Sequence, residues 1–184
     1  MTSSRDSLSA ELDEWLAAIP GEVDARVEAV RQRIGRIARQ FDRVLAVVAA
    51  EHDLSIGDWE ALSALARAGA ADGLTPGQIG ERLALTSGTV SVRLERLRSA
   101  GLVEDVPGAD GRQRPVRLTP TGMQRWGAAT LARTQVESRL FGDALTPDQL
   151  GRLDGLLARL LAGLEDEFGP APRHDMTRGR RSAP

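Results

Sequence analysis

The sequence contains no cysteine and only two histidines, His52 and His174. Without thiols there can be no disulfide, no thiolate metal site and no cysteine redox sensor. Two imidazoles are too few for an all-histidine metal cluster. The phosphate-binding patterns GxxxxGK[ST] and GxGxxG after a strand are also missing. We therefore predict neither an enzyme nor a protein with a cofactor or a metal site.

Aromatic residues make up only 3% of the chain, and no apolar run approaches the length of a membrane span. The core must then be built from leucine, valine and alanine, which favours helices. The polar stretch MTSSRDSLSA at the N-terminus does not resemble a signal peptide. We expect a mainly α protein with no membrane segment, located in the cytoplasm.

Lysine is absent, so all 24 basic residues are arginine, and the formal net charge is −2. Codon bias in a GC-rich genome accounts for the use of arginine in place of lysine. The abundance of arginine alone therefore does not indicate a nucleic-acid partner. An argument for DNA binding must therefore rest on where the arginines lie.

Three Thr-Pro pairs predict helices that begin at Pro76, Pro120 and Pro147, because threonine caps a helix and proline suits its first position. Apolar residues also recur at steps of four and three from Val23 to Val48, and again from Leu150 to Leu164. The first of these seams fits a core helix and a subunit-interface helix about equally well. We expect both seams to contribute to a homodimer.

The stretch TSGTVSVRLERLRSAGLV, residues 86–103, predicts a helix with two different sides. Its leucines share one face, whereas hydroxyl groups, a valine and two arginines share the other. A short helix, TPGQIGERLAL, precedes it, and the pair forms a helix-turn-helix pattern whose second helix would enter the major groove of DNA. The predicted DNA-contacting residues of this helix are Thr86, Ser87, Thr89, Val92, Arg93 and Arg96.

Two strand candidates, LVEDV and PVRLT, follow around a Pro-Gly-Ala-Asp-Gly turn and predict a wing. Arg112 and Arg114 near its tip would reach the adjacent minor groove or its phosphates, and Asp110 would orient Arg112. From Thr86 to Arg117 there are six arginines and four acids, so this segment carries +2 in a chain of −2.

The sequence resembles the MarR family of winged-helix transcriptional regulators, from about Val23 to Phe168. The likeness is carried by TSGTVSVRLERLRSAGLV, by DGR in the wing and by RLTPTG after it. It implies a homodimer whose two winged helices read a palindrome in double-stranded DNA.

SLSAELDEWLAAIP, from Ser7 to Pro20, predicts a short amphipathic first helix. This extra helix and the DWE motif resemble a branch of the family that responds to urate and similar small anions. That resemblance implies a ligand site lined by Trp15, Trp59, Glu60 and Arg93. Asp105 stands where the branch has an arginine, so we expect an apolar, weakly acidic aromatic effector instead of urate. Core packing is the alternative role for the two tryptophans.

The sequence thus predicts dimerisation helices in residues 7–54 and 119–168, a winged helix-turn-helix lobe in 55–118 and a disordered tail in 169–184. The predicted function is a homodimeric repressor of palindromic operators that a small anionic or aromatic ligand releases. The alternative is a dimeric winged-helix scaffold for protein contacts without DNA readout. A grip on DNA phosphates is the alternative role of the tail.

Overall fold

The computed structural model describes residues 6–69, 73–106 and 114–170. The mainly α fold predicted from the sequence is confirmed, with two short strands between the fifth and sixth α-helices. In chain order the elements are a 3₁₀ helix at Ser7–Ala10, α1 Leu12–Ala18, α2 Ala25–Glu51, α3 Ile56–Ala68, α4 Pro76–Leu83, α5 Ser87–Ser99, β1 Val103–Asp105, β2 Val116–Leu118, α6 Pro120–Ala144 and α7 Pro147–Phe168.

These elements form two compact units, divided between Val44 and Leu45. In the first unit, the single helix predicted from Ser7 to Pro20 is instead a 3₁₀ turn followed by α1. Asp6 caps the 3₁₀ turn, because its carboxylate accepts from the backbone N–H of Ser9 at 2.9 Å. The proposed boundaries at 54/55 and 118/119 stay a prediction.

Charged contacts join the N-terminal segment to α2 within this first unit. Arg33 Nε donates to Asp6 at 2.7 Å, and Arg36 Nη2 donates to Glu11 at 2.5 Å. The hydrogen bonds from these arginines hold the pKa of both carboxyls below their ordinary values. The segment therefore docks on α2 through ion pairs as well as through the buried side chain of Leu8.

The second unit contains the main apolar core, to which α3, α4, α5, both strands and α6 contribute. The leucine face predicted for α5 packs into this core, and α3 also buries one face, so six side chains of the two helices are almost fully buried. These residues are Trp59, Leu62, Leu65, Val90, Leu94 and Leu97.

The three Thr-Pro helix starts are also confirmed. Thr75, Thr119 and Thr146 each accept a hydrogen bond from the backbone N–H three residues further on. In TPGQ and TPDQ the glutamine side chain also accepts from the backbone N–H of the threonine, so both segments form complete capping boxes. These local contacts satisfy backbone groups that would otherwise lack a partner at the helix start.

The two strands pair antiparallel, with Val103 opposite Leu118. Leu74, just before α4, adds a bridge to Val116 on the other edge of β2. The glycine of the RLTPTG motif, Gly122, lets α6 pass close to the start of this hairpin, because a Cβ there would lie 1.9 Å from the Leu102 carbonyl oxygen. In the described part of the chain, no helix combines the length and the apolar character needed to cross a membrane.

Candidate nucleic-acid interface

A tight turn places α5 directly after α4. Ala84 adopts a left-handed conformation with φ of 51°, and the N–H of Leu85 donates to the Gly80 carbonyl at 2.8 Å. A Cβ at Gly80 would lie 3.1 Å from the Leu85 carbonyl oxygen, so a small residue suits this position. The two helices of the predicted helix-turn-helix are therefore joined by a tight, hydrogen-bonded turn.

The outer surface of the first turns of α5 is polar and open. Thr86 caps the helix by accepting from the N–H of Thr89 at 3.3 Å, and the two threonine hydroxyls lie 2.9 Å apart. Ser87 is exposed, and the side chain of Val92 is 71% exposed. Hydroxyl groups and methyl groups of this kind can contact base edges and thymine methyls in a major groove.

Arg96, predicted to contact DNA, is tied to α3 in the structure. Its Nε donates to Asp58 Oδ1 at 3.1 Å, its Nη2 also contacts Oδ1, and Nη2 donates to Ser55 Oγ at 3.2 Å. The Arg96 side chain is 56% exposed, whereas that of Asp58 is only 8% exposed. Burial disfavours the charged form of Asp58, but hydrogen bonds from Ser55 and Arg96 outweigh it and hold the pKa of Asp58 below its ordinary value.

Arg93, predicted to face both DNA and a ligand, also turns towards α3. Its side chain is 16% exposed, and its Nη1 lies 3.7 Å from Oε2 of Glu60. The guanidinium rests over Gly57, where a Cβ would lie 2.3 Å from Nη2. Nη1 is buried and has no hydrogen-bond partner among the described residues. The helical period predicts that Arg93 lies on the outer side of α5. The structure instead places most of its side chain between α5 and α3.

At the base of the wing, two arginines pair with acids. Arg98 Nη2 donates to Asp105 at 2.7 Å, and Arg117 Nε donates to Glu104 at 2.8 Å. The negative charge of Asp105 is thus compensated locally. Arg114 is exposed. Two other predicted wing residues, Asp110 and Arg112, lie outside the described residues.

The tryptophans occupy separate settings. In the first unit, the indole N–H of Trp15 donates to Glu28 at 2.6 Å. In the second unit, Trp59 is buried, its N–H donates to Thr130 Oγ1 at 3.0 Å, and the Arg133 guanidinium lies 4.8 Å from its ring centre. Sequence reasoning missed these α6 partners, because nothing in the local pattern of Thr130 or Arg133 points to a tryptophan far along the chain.

A model of the MarR family matches residues 52–113 of the chain. The HTH-type transcriptional regulator PecS of Dickeya dadantii (strain 3937) is 30% identical over 112 residues, which is 60% of this chain and 67% of that protein. This chain belongs to the MarR family.

Solved MarR structures share the fold. A cysteine-to-serine mutant of MarR from E. coli is 26% identical, with a TM-score of 0.62, and the match covers 71% of this chain and 95% of that one. The same mutant complexed with operator DNA is 24% identical, with a TM-score of 0.57, over 77% of this chain and 99% of that one. The chain is therefore a MarR-family transcriptional regulator with a winged-helix fold, as predicted, and not an enzyme.

Proposed function

We propose that this MarR-family regulator is a homodimeric repressor that reads palindromic operators in the cytoplasm and is released by a small anionic or aromatic ligand. The observation that carries the DNA-binding part is the open outer surface of α5, held by its leucines against the core while its hydroxyls and Val92 face solvent. A helix with this division of faces leaves its outer side accessible to a binding partner.

Double-stranded DNA fits that partner. A helix-turn-helix presents the N-terminal residues of its second helix to base edges in the major groove. Ser87 and Thr89 supply hydroxyl donors and acceptors there, and Val92 supplies methyl groups for contact with a thymine methyl. The MarR mutant that shares this fold forms a complex with operator DNA, which supports a DNA partner for this chain by analogy.

Unpaired apolar surface supports the homodimer. On α7, most residues of the predicted leucine seam are exposed in the single chain, as are several of their neighbours: Leu150, Leu156, Leu157, Leu160, Leu161, Leu164 and Phe168. In the first unit, Val27, Val30, Ile34 and Ile37 on α2 are exposed as well. Exposed seams of this type are stabilised by burial against a twin subunit.

The Arg93 site supports a small anionic ligand. A buried guanidinium nitrogen with no hydrogen bond is unfavourable, and a carboxylate or phenolate placed against Nη1 would satisfy it. Glu60 at 3.7 Å provides partial charge balance without a good hydrogen bond to Nη1. That Trp15 and Trp59 complete this site with Glu60 and Arg93 stays part of the proposal.

A mobility-shift titration against the DNA upstream of the chain's own gene tests the DNA-binding proposal. Val92→Asp adds a negative charge to the outer face of α5 and should weaken binding at least tenfold, since like charge meets the phosphates. Gln124→Asp adds the same charge at an exposed position on α6 and serves as the matched control. No shift by the wild type on any DNA would favour the protein-scaffold alternative, and equal loss in both variants would contradict the role of α5.

Light scattering tests the dimer, which should give twice the 19.7 kDa chain mass at micromolar concentration. Leu160→Asp should shift that mass towards the monomer, because it buries a charge in the seam. A wild-type monomer at these concentrations would contradict the proposal that a two-fold symmetric dimer recognises a palindromic operator.

A panel of apolar, weakly acidic aromatic compounds tests the effector. An effector should change tryptophan fluorescence and release the operator, and Trp15→Phe and Arg93→Ala should each blunt that release. If no compound both changes the fluorescence and releases the operator, the proposal of an effector is wrong, whereas the proposal of DNA binding is unaffected.

A further inference from the structure

Asp58 is a buried carboxylate whose two oxygens have different partners. Oδ2 accepts from the backbone N–H and the hydroxyl of Ser55, at 3.0 and 2.6 Å, and so caps α3. Oδ1 accepts from Nε and Nη2 of Arg96, which stands on α5. One side chain therefore completes the start of α3 and fixes an arginine of the helix proposed to enter DNA.

The contacts of Arg96 limit what its guanidinium can do. An arginine has five N–H donors, and its bidentate contact with guanine uses two nitrogens at one edge. Here Nε and Nη2 face Asp58, and Nη2 also donates to Ser55 Oγ. Nη1 is the nitrogen for which the described residues provide no hydrogen bond. Held in this way, Arg96 keeps only the two N–H groups of Nη1 for another acceptor, so it cannot make the two-nitrogen contact with a guanine edge.

We propose that Asp58 is a positioning residue that holds Arg96 against α3 and so restrains binding to DNA of unrelated sequence. This inference rests on the proposed DNA-binding function. Non-specific affinity comes from phosphate contacts by arginine and lysine. A phosphate that recruits Arg96 fully must take it from Asp58 and leave a buried carboxylate without its cation, which is unfavourable.

The ionisation of Asp58 is consistent with this role. Although burial raises its pKa, the hydrogen bonds from Ser55 and Arg96 prevail, and the pKa lies below the ordinary value. The side chain is thus a carboxylate at neutral pH, and it competes with DNA phosphates for the guanidinium of Arg96.

Asp58→Asn tests the restraint, because the amide oxygen can still cap α3 while the negative charge is removed. Binding is measured by fluorescence anisotropy to the upstream operator DNA and to a shuffled duplex of equal length, between 50 and 200 mM salt. The variant should bind the shuffled duplex more tightly at low salt, and its ratio of operator to shuffled affinity should fall. Over that salt range it should lose about threefold more affinity than the wild type, the share of one added phosphate contact.

Glu95→Gln is the matched control, since it removes one negative charge from a side chain on α5 that is 75% exposed. An equal effect of Glu95→Gln would assign the change to net charge and overturn the proposal. So would an unchanged salt dependence in Asp58→Asn, or a parallel loss of affinity for both duplexes.

Arg96→Ala provides a second test, and its effect on its own does not depend on the folding of Asp58→Asn. Because the wild-type arginine is restrained, its removal should change the salt dependence by much less than threefold, and Asp58→Asn should have no further effect in that background. A full threefold change on removing Arg96 overturns the restraint. A wild type that binds neither duplex overturns the proposed function itself, and this inference with it.

Discussion

Replacing Gly57 by alanine should destabilise the protein, although alanine is the better helix former. Gly57 occupies the second position of α3, directly beneath the guanidinium of Arg93. An alanine Cβ would lie 2.3 Å from Nη2, 2.6 Å from Cζ and 3.1 Å from Nε of that side chain. These distances are far below van der Waals contact, so the guanidinium must leave its place between α5 and α3.

Two opposing effects set the magnitude. Alanine in place of a helical glycine stabilises by about 0.5–1 kcal/mol. Moving the guanidinium away removes a cation from Glu60, whose side chain is 11% exposed. Loss of a charged partner from a buried group costs roughly 1–3 kcal/mol. We expect the free energy of unfolding to fall by about 1–2 kcal/mol in Gly57→Ala.

The decisive measurement is a double-mutant cycle by urea unfolding, followed by circular dichroism at equal protein concentration. In an Arg93→Ala background the clash is absent, and Gly57→Ala should then stabilise by about 0.5–1 kcal/mol. Gly88→Ala is the matched control, because it occupies the second position of α5 with no atom within 4 Å of its Cβ. It should act alike in both backgrounds. An effect of Gly57→Ala with the same sign with and without Arg93 would refute the placement of this arginine.

Two further predictions concern other contacts. Gly122→Ala should cost about 3 kcal/mol in urea unfolding, because its Cβ would meet the Leu102 carbonyl oxygen, a backbone atom, at 1.9 Å; an effect below about 0.5 kcal/mol would contradict that approach. Hydrogen bonds from Arg31 and Trp15 lower the pKa of Glu28 from 4.5 to about 2. Since the folded pKa is depressed, this contact stabilises fully above pH 4.5 and is lost as the pH falls towards 2. The Trp15 indole N–H resonance should follow that change, and a midpoint near 4.5 would contradict it.

The helix starts at Pro76, Pro120 and Pro147 could be predicted because their signals are local. In the pairs Thr75–Gln78 and Thr146–Gln149, each side chain accepts a hydrogen bond from the backbone N–H of the other residue. A segment of four residues is therefore enough to predict each helix start. The leucine face of α5 was predicted for a similar reason, since the helical period alone decides which residues share a side. Capping pairs and helical periodicity do not depend on how the helices pack against one another.

The arginine contacts could not be predicted, because they depend on how two helices pack. The helical period places Arg93 and Arg96 on the side opposite the leucines, but it does not reveal that α3 passes beside that face. Arg96 meets Asp58 across 38 residues of sequence. A long side chain can bend back to an acid on a neighbouring helix, and periodicity alone does not resolve that choice. Gly57 was overlooked as well, because a glycine near a helix start has many local explanations.

The pairing of Arg93 and Arg96 with acids limits the positive charge that α5 would offer to DNA under the proposed function. Arg93 and Arg96 approach carboxylates of α3, so the outer face of α5 offers hydroxyls and the Val92 methyls more than free positive charge. Contacts of that kind distinguish base edges but contribute little to the salt-dependent attraction that holds any DNA. An anionic effector that engages Arg93 would compete for the same guanidinium as Glu60. By linkage, if it weakens operator binding, it must itself bind less well once the operator is in place. Under the proposed function, the acids of α3 would therefore couple an anionic ligand to DNA readout, because they contact both arginines of α5.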